Sequence, residues 1–168
     1  MNKRRGAAFL YLALIFFVEN AVSKAFPTGG ALVISVLAFY ALSEGPVFGV
    51  ILGAYTGIFF ELWGFGPFGY QIAGLAVLGA FCGSVSLQFF GDSPFTAVLL
   101  PVICLYLEAC FNASLVNFAF QEGVWSALGR AFRPHDLLFA GIVSPFLFIV
   151  LDKISPKAAP ARKRPYPR

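Results

Sequence analysis

Residues 44–71 read EGPVFGVILGAYTGIFFELWGFGPFGYQ. Within 47–63 there is no basic residue, and the one acidic residue, Glu61, falls near the end. Glu44-Gly45-Pro46 before the run and Gly64-Phe65-Gly66-Pro67 after it are turn signals. An uninterrupted apolar run of this kind has the length of a helix that crosses a hydrocarbon core about 30 Å thick. Gly49, Gly53 and Gly57 recur at four-residue steps along it, and Glu61 continues the series. Small residues at that spacing bare a strip of backbone where another helix approaches closely. A drift of about 40° per step turns Glu61 partly away from Gly49 but leaves it beside Gly57.

The same alternation of apolar run and turn signal extends in both directions. Six runs emerge, at about 6–23, 29–43, 47–63, 68–90, 94–120 and 137–151, separated by Gly/Pro-rich turns and by a polar stretch at 121–136. A transmembrane barrel would instead show alternating segments of about ten residues. That pattern is absent, and helices satisfy every backbone group in lipid. Composition agrees: of 168 residues, 59% are hydrophobic and 12% charged, with a mean hydropathy of +0.81. Soluble domains are about 45 to 50% apolar and 25% charged. The expected fold class is therefore all-α, an integral membrane bundle of six helices spanning residues 1–154, with a basic, Pro-rich tail at 155–168. A disordered chain and a disulfide scaffold are both excluded by the same figures.

Charge sets the orientation. With the N-terminus inside and six spans, Lys3, Arg4, Arg5, Lys153, Lys157, Arg162, Lys163, Arg164 and Arg168 are cytoplasmic, against Lys24, Arg130 and Arg133 outside. Both termini are expected in the cytoplasm of a multi-pass membrane protein. The net charge of +4 thus reflects topology, and nucleic acid is not an expected partner. The first run follows three basic residues like a signal peptide, but five more spans follow and no small-x-small cleavage site leads into a soluble chain, so it is read as a retained helix. Trp63 and Trp125 fall at the outer interface, where indoles concentrate. Between 121 and 136, Val124, Trp125, Leu128 and Phe132 recur at helical spacing while Arg130 and Arg133 point elsewhere, the pattern of a short helix on the outer membrane surface. That stretch is either a plain connector or a partner surface.

Ionisable groups inside the spans are expensive and hence candidates for function. They are Glu19, Glu61 and Glu108. Counted from Gly6, Pro46 and Phe95 they lie 13, 15 and 13 residues along outward-running helices, about 20 to 22 Å from the inner end at 1.5 Å per residue. A shared depth implies an acidic layer in the outer half, with Asn20, Asn112 and Asn117 as hydrogen-bonding neighbours. Asn112 follows Glu108 by one turn, on the same face. Three readings are open: glutamates hydrogen-bonded within the bundle, glutamates receiving a cationic or polar group from a partner, or a proton or cation relay. The fourth helix carries a second small-residue pair, Gly79 and Gly83. Both glycine sets are read as helix-packing faces or as a groove for a partner helix. Pro101 and Pro145 are expected to bend the fifth and sixth helices.

Catalysis finds no support. His135 is the lone histidine and lies in a loop beside Asp136, with no nucleophile placed near it by sequence. Cys82, Cys104 and Cys110 fall in spans and fit no zinc spacing, so they read as small apolar residues. Asn112-Ala113-Ser114 matches a glycosylation triplet but lies inside a span, and no phosphate-binding glycine loop follows a strand. No cofactor and no metal is expected, and the protein is not expected to be an enzyme.

Residues 44–71 resemble the central segment of the rod shape-determining protein MreD family. Gly49, Gly53 and Gly57 match that family's glycine steps, Glu61 stands where it usually has Asp, and Pro67-Phe68-Gly69 matches its Pro-x-Gly loop. The loop here is longer by Gly64-Phe65-Gly66. The resemblance implies a non-enzymatic scaffold of the bacterial cell-elongation machinery, which binds an MreC-like single-span protein. It would help couple MreB filaments to peptidoglycan synthesis by RodA and a penicillin-binding transpeptidase. It also implies a fold similar to the substrate-binding subunits of energy-coupling-factor transporters. That makes a vitamin or small-solute transporter subunit the alternative. Such a subunit needs long polar outer loops and small-residue steps on its first helix. Here the first two outer loops are short, and the sole such step, Ala21 to Ala25, lies at the outer end.

Overall fold

The computed structural model describes residues 3–22, 30–63, 69–88, 94–120 and 134–154. They form the helices α1 (Lys3–Val22), α2 (Ala31–Glu44), α3 (Pro46–Trp63), α4 (Tyr70–Gln88), α5 (Pro94–Phe120) and α6 (Pro134–Ile154), with no strand among the described residues. Each coincides with one of the six apolar runs, with ends differing by at most three residues. The chain is all-α. Arg5–Val22 and Pro46–Trp63 are long and apolar enough to cross a membrane. The apolar windows Ala31–Glu44, Tyr70–Val85 and Leu99–Ser114 are shorter.

The shortest helix is the centre of the bundle. α2 touches every other described helix, and every residue from 31 to 41 except Leu32 is buried. A helix apolar on all faces can be covered on all faces without desolvating a charge. One inward hydroxyl satisfies itself. Ser35 Oγ donates to the Ala31 carbonyl at 2.7 Å, the back-bond by which a hydroxyl satisfies itself within its own helix. Tyr40 is fully buried and meets Phe39 edge-on at 5.2 Å, while Phe39 meets Phe148 of α6 at the same spacing.

The most intimate pairing is between α3 and α4. A Cβ built on Gly49 would overlap the Gly79 carbonyl oxygen and lie 2.7 Å from its carbon; one on Gly53 would lie 2.6 Å from the Leu75 carbonyl carbon. Further along, a Cβ on Gly57 would stand 2.7 Å from the Ile72 nitrogen, and one on Gly83 would stand 2.5 Å from Pro46 Cα. The two glycine series therefore face each other, and backbone lies on backbone. Thr56 of α3, fully buried, donates to the Leu52 carbonyl at 2.7 Å. Neither face is open as a groove for another protein's helix.

α1 is held to α3 by aromatic side chains. Phe9 meets Phe48 and Tyr55 edge-on at 5.8 and 4.9 Å, and Phe16 meets Phe59 and Phe60 at 5.3 and 5.6 Å. Such pairs contribute about 0.5 to 1.5 kcal/mol each beyond area burial. At the opposite end from Phe16, Arg5 Nε bonds Glu44 Oε2 at 2.9 Å and sits 5.5 Å from the Phe48 ring centroid. The guanidinium is half exposed, so this pair positions helix ends and adds little stability. Pro101 and Pro145 lie inside α5 and α6, where each removes one helical hydrogen bond.

Outward-facing side chains are large and apolar. Leu10, Leu14 and Phe17 on α1, Val47, Ile51 and Leu62 on α3, Val77 on α4, Ile103 on α5, and Ile142, Phe146 and Ile149 on α6 are all exposed. The inner face of the bundle, by contrast, holds Glu19, Ser35, Thr56 and Ser144.

Candidate functional site

A set of polar side chains lies where α1 and α3 finish and α2 and α4 begin, with a further pair, Glu108 and Asn112, along α5. A helix leaves its first backbone N–H groups without internal partners, and Ser, Thr, Asp or Asn just before it normally supplies an acceptor. α2 begins after Gly30, which has φ 85° and no side-chain cap. A Cβ there would also lie 3.1 Å from the Phe60 ring, so both conformation and space favour glycine. α4 begins after Gly69, with φ 95°. Glycine supplies the left-handed turn but no acceptor.

The glutamates of the preceding helices supply it. Glu19, near the end of α1 and 5% exposed, accepts from the Leu32 N–H through Oε1 at 3.3 Å and from the Val33 N–H through Oε2 at 3.0 Å. Glu61, near the end of α3, accepts from the Ile72 N–H through Oε1 at 3.1 Å. Both carboxyls meet the positive end of the next helix's dipole, which favours negative charge there. The second oxygen of Glu61 is buried and has no hydrogen-bond partner among the described residues. Each glutamate ties the end of one helix to the start of the next.

Glu108 serves a third junction, between α5 and α4. It accepts from Asn112 Nδ2, and Asn112 Oδ1 accepts from Gln71 Nε2 of α4 at 2.7 Å. Beside this chain the Tyr70 hydroxyl donates to the Phe111 carbonyl, and the two rings stack with centroids 4.1 Å apart at 23°. Gly74 makes room for this, since a Cβ there would lie 2.7 Å from Phe111 Cδ1. Replacing Asn112 by alanine removes the relay between Gln71 and Glu108. Thermal unfolding of that variant is expected to show a loss of about 1 to 3 kcal/mol. Adding Gln71→Ala should then cost less than it does alone, because both act in one chain.

The sequence-derived residues thus separate into groups. Glu19 and Glu61 each bond the start of the next helix, while Glu108, mid-way along α5, is linked through Asn112 to Gln71 of α4. No group of three or more His, Cys, Asp or Glu able to hold a metal is present among the described residues. Asn20, expected as a neighbour, donates to its own helix at the Phe16 carbonyl, 3.0 Å away. Gly49, Gly53, Gly57, Gly79 and Gly83 form the α3–α4 seam. Trp63 stays 59% exposed and touches Phe16 and Phe17 of α1 edge-on at 5.8 and 6.1 Å. Trp125, Arg130, Arg133, the amphipathic stretch around them and the 155–168 tail lie outside the described residues.

Three participants were missed by sequence reasoning: Gln71, Tyr70 and the contact between Cys82 and Cys104. The first two reach partners 41 residues along the chain, which no local pattern signals. The cysteines are 22 residues apart on different helices, and no spacing rule joins them. Comparison with family models, curated proteins and solved structures gives no match for this chain.

Proposed function

We propose that this chain is a six-span, multi-pass protein of the bacterial cytoplasmic membrane, with both termini inside, and that it acts as a non-enzymatic scaffold of the cell-elongation machinery. The observation that carries the reading is the α3–α4 hairpin. Residues 44–71, which resemble the MreD family, use their glycines to bring two backbones together and Glu61 to cap α4. The motif's residues are structural, which suits a protein that presents surfaces rather than one that transforms a substrate.

The membrane part of the proposal draws support from the inverted surface: large apolar side chains outside and Glu19, Ser35, Thr56 and Ser144 inside. Water would leave that exterior exposed as an apolar patch far larger than soluble monomers carry, whereas lipid covers it at no cost. Glu19 and Glu61 accept from first-turn amides and Glu108 accepts from Asn112, which favours hydrogen-bonded glutamates over a relay. The glycine faces are occupied, so the single helix of an MreC-like partner would bind the apolar exterior. MreB, RodA and a penicillin-binding transpeptidase would follow as indirect or cytoplasmic contacts.

Affinity purification of the tagged protein from its native membrane tests this. A stoichiometric single-span partner, together with loss of rod shape on depletion, is the expected result. A co-purifying vitamin or a shared ATPase module, with an unchanged cell outline and a nutrient requirement, would overturn it in favour of a transporter subunit.

A further inference from the structure

Cys82 on α4 and Cys104 on α5 are both free and each 1% exposed, and their Sγ atoms are 3.0 Å apart. A disulfide bond measures about 2.05 Å, so the sulfurs lie within about 1 Å of bonding distance. Cys82 is about 18 Å along α4 and Cys104 about 15 Å along α5 at 1.5 Å per residue, which puts the pair near mid-bundle. Cys104 precedes Glu108 by four residues on α5, a rise of about 6 Å, so the pair lies one turn below the Gln71–Asn112–Glu108 chain. Cys110, the third thiol, is only half buried and its sulfur is not paired with another thiol among the described residues.

We propose that Cys82 and Cys104 are a redox-modification site, closed to a disulfide by a small uncharged hydroperoxide. Hydrogen peroxide is the simplest of that class, and it is close to water in size. One thiol attacks a peroxide oxygen as its proton passes to the departing hydroxide; the O–O bond breaks, water leaves and a sulfenic acid forms. The second thiol attacks that sulfur, the S–O bond breaks, and a second water leaves as the S–S bond closes. Two electrons pass from the sulfurs to the peroxide, and a dithiol reductant returns them. The product staples α5 to α4 at mid-height. Because α4 is already locked on α3 through the glycine seam, the whole α3–α4 hairpin becomes fixed to α5.

Cys110 is the internal control, since a thiol without a partner gains oxygen where the pair loses hydrogen. The purified full-length protein in lipid nanodiscs is exposed to hydrogen peroxide and followed by intact mass and non-reducing peptide mapping. The expected result is loss of the mass of two hydrogens, a peptide joining Cys82 to Cys104, and reversal by dithiothreitol. Cys82→Ala and Cys104→Ala should each abolish the link with helicity unchanged by circular dichroism, and Cys110→Ser should keep it. A serine variant at either buried position serves as a second check should alanine lower stability. Persistence of Cys82 and Cys104 as thiols in folded protein, at a peroxide dose that oxidises Cys110 or an exposed reference thiol, would overturn the proposal. So would a disulfide that includes Cys110.

Discussion

Gly49→Ala is expected to destabilise the bundle by about 3 kcal/mol, at the upper end of what one added carbon costs in a packed interior. The methyl group would overlap the Gly79 carbonyl oxygen and stand 2.7 Å from its carbon and 3.1 Å from Ala41 Cβ. These neighbours are backbone and the Cβ of a fully buried residue, so no rotamer change relieves the overlap. α3 and α4 must separate, and the seam at Gly53 and Gly57 separates with them. Helix propensity works in the opposite direction, since alanine in place of glycine favours a helix by about 1 kcal/mol. It does not offset the overlap. Gly79→Ala meets Gly49 in the same way, so the double variant should cost clearly less than the sum: once the helices have parted, the second methyl finds space. Gly141→Ala on α6, whose added carbon would find its nearest neighbour 3.9 Å away, should be neutral or slightly stabilising. Thermal unfolding in detergent with helicity followed at the same time reads all four. An unchanged midpoint for Gly49→Ala would refute the seam.

How much of this arrangement could be read from the residues depends on which residues carry information in a chain of this composition. Glycines did. Four-residue spacing in two helices marks close approach, and the structure pairs those two helices with each other. The spacing alone could not name the partner, because Gly49 and Gly79 are consistent with any small-residue face. Apolar residues did not carry comparable information. α2 is the core, yet its run LVISVLAFYAL looks no different from runs whose outer halves are exposed. In water a helix apolar on all sides is a buried helix. In lipid the same composition suits the exterior equally well, and burial has to be inferred from something else, such as Ser35.

The glutamates were half legible. Counting residues placed Glu19, Glu61 and Glu108 at one level; in the structure Glu19 and Glu61 stand near the ends of α1 and α3 and Glu108 mid-way along α5. What each touches depends on how the chain returns after a turn, over 14 residues from Glu19 to Val33 and 11 from Glu61 to Ile72. The clue lay in the turns: Gly30 and Gly69 start helices without offering an acceptor, so the first-turn amides of α2 and α4 needed one from elsewhere. Glu108 was legible as a pair with Asn112 by one-turn spacing. The extension to Gln71 required the fold.

Removal of the carboxyl of Glu19 should have the larger effect of the two capping sites. Glu19→Ala leaves the Leu32 and Val33 amides without their acceptors in a region where Glu19 itself was only 5% exposed. A buried donor left unpaired costs about 1 to 3 kcal/mol, so the two together should lower stability by about 2 to 4 kcal/mol. Glu61→Ala removes one such bond, at Ile72, and should cost about half as much. Glu19→Gln keeps one acceptor oxygen but turns an NH2 group toward the second amide, donor against donor, and should fall between wild type and alanine. The damage has a particular place. α2 touches every other described helix, and fraying its first turn loosens Ala31, Val33 and Ile34, all buried. Hydrogen exchange should therefore show Leu32 and Val33 losing protection first in Glu19→Ala, with Ile72 unchanged, and the reverse order in Glu61→Ala. Equal protection of Leu32 and Val33 in wild type and Glu19→Ala would refute the cap.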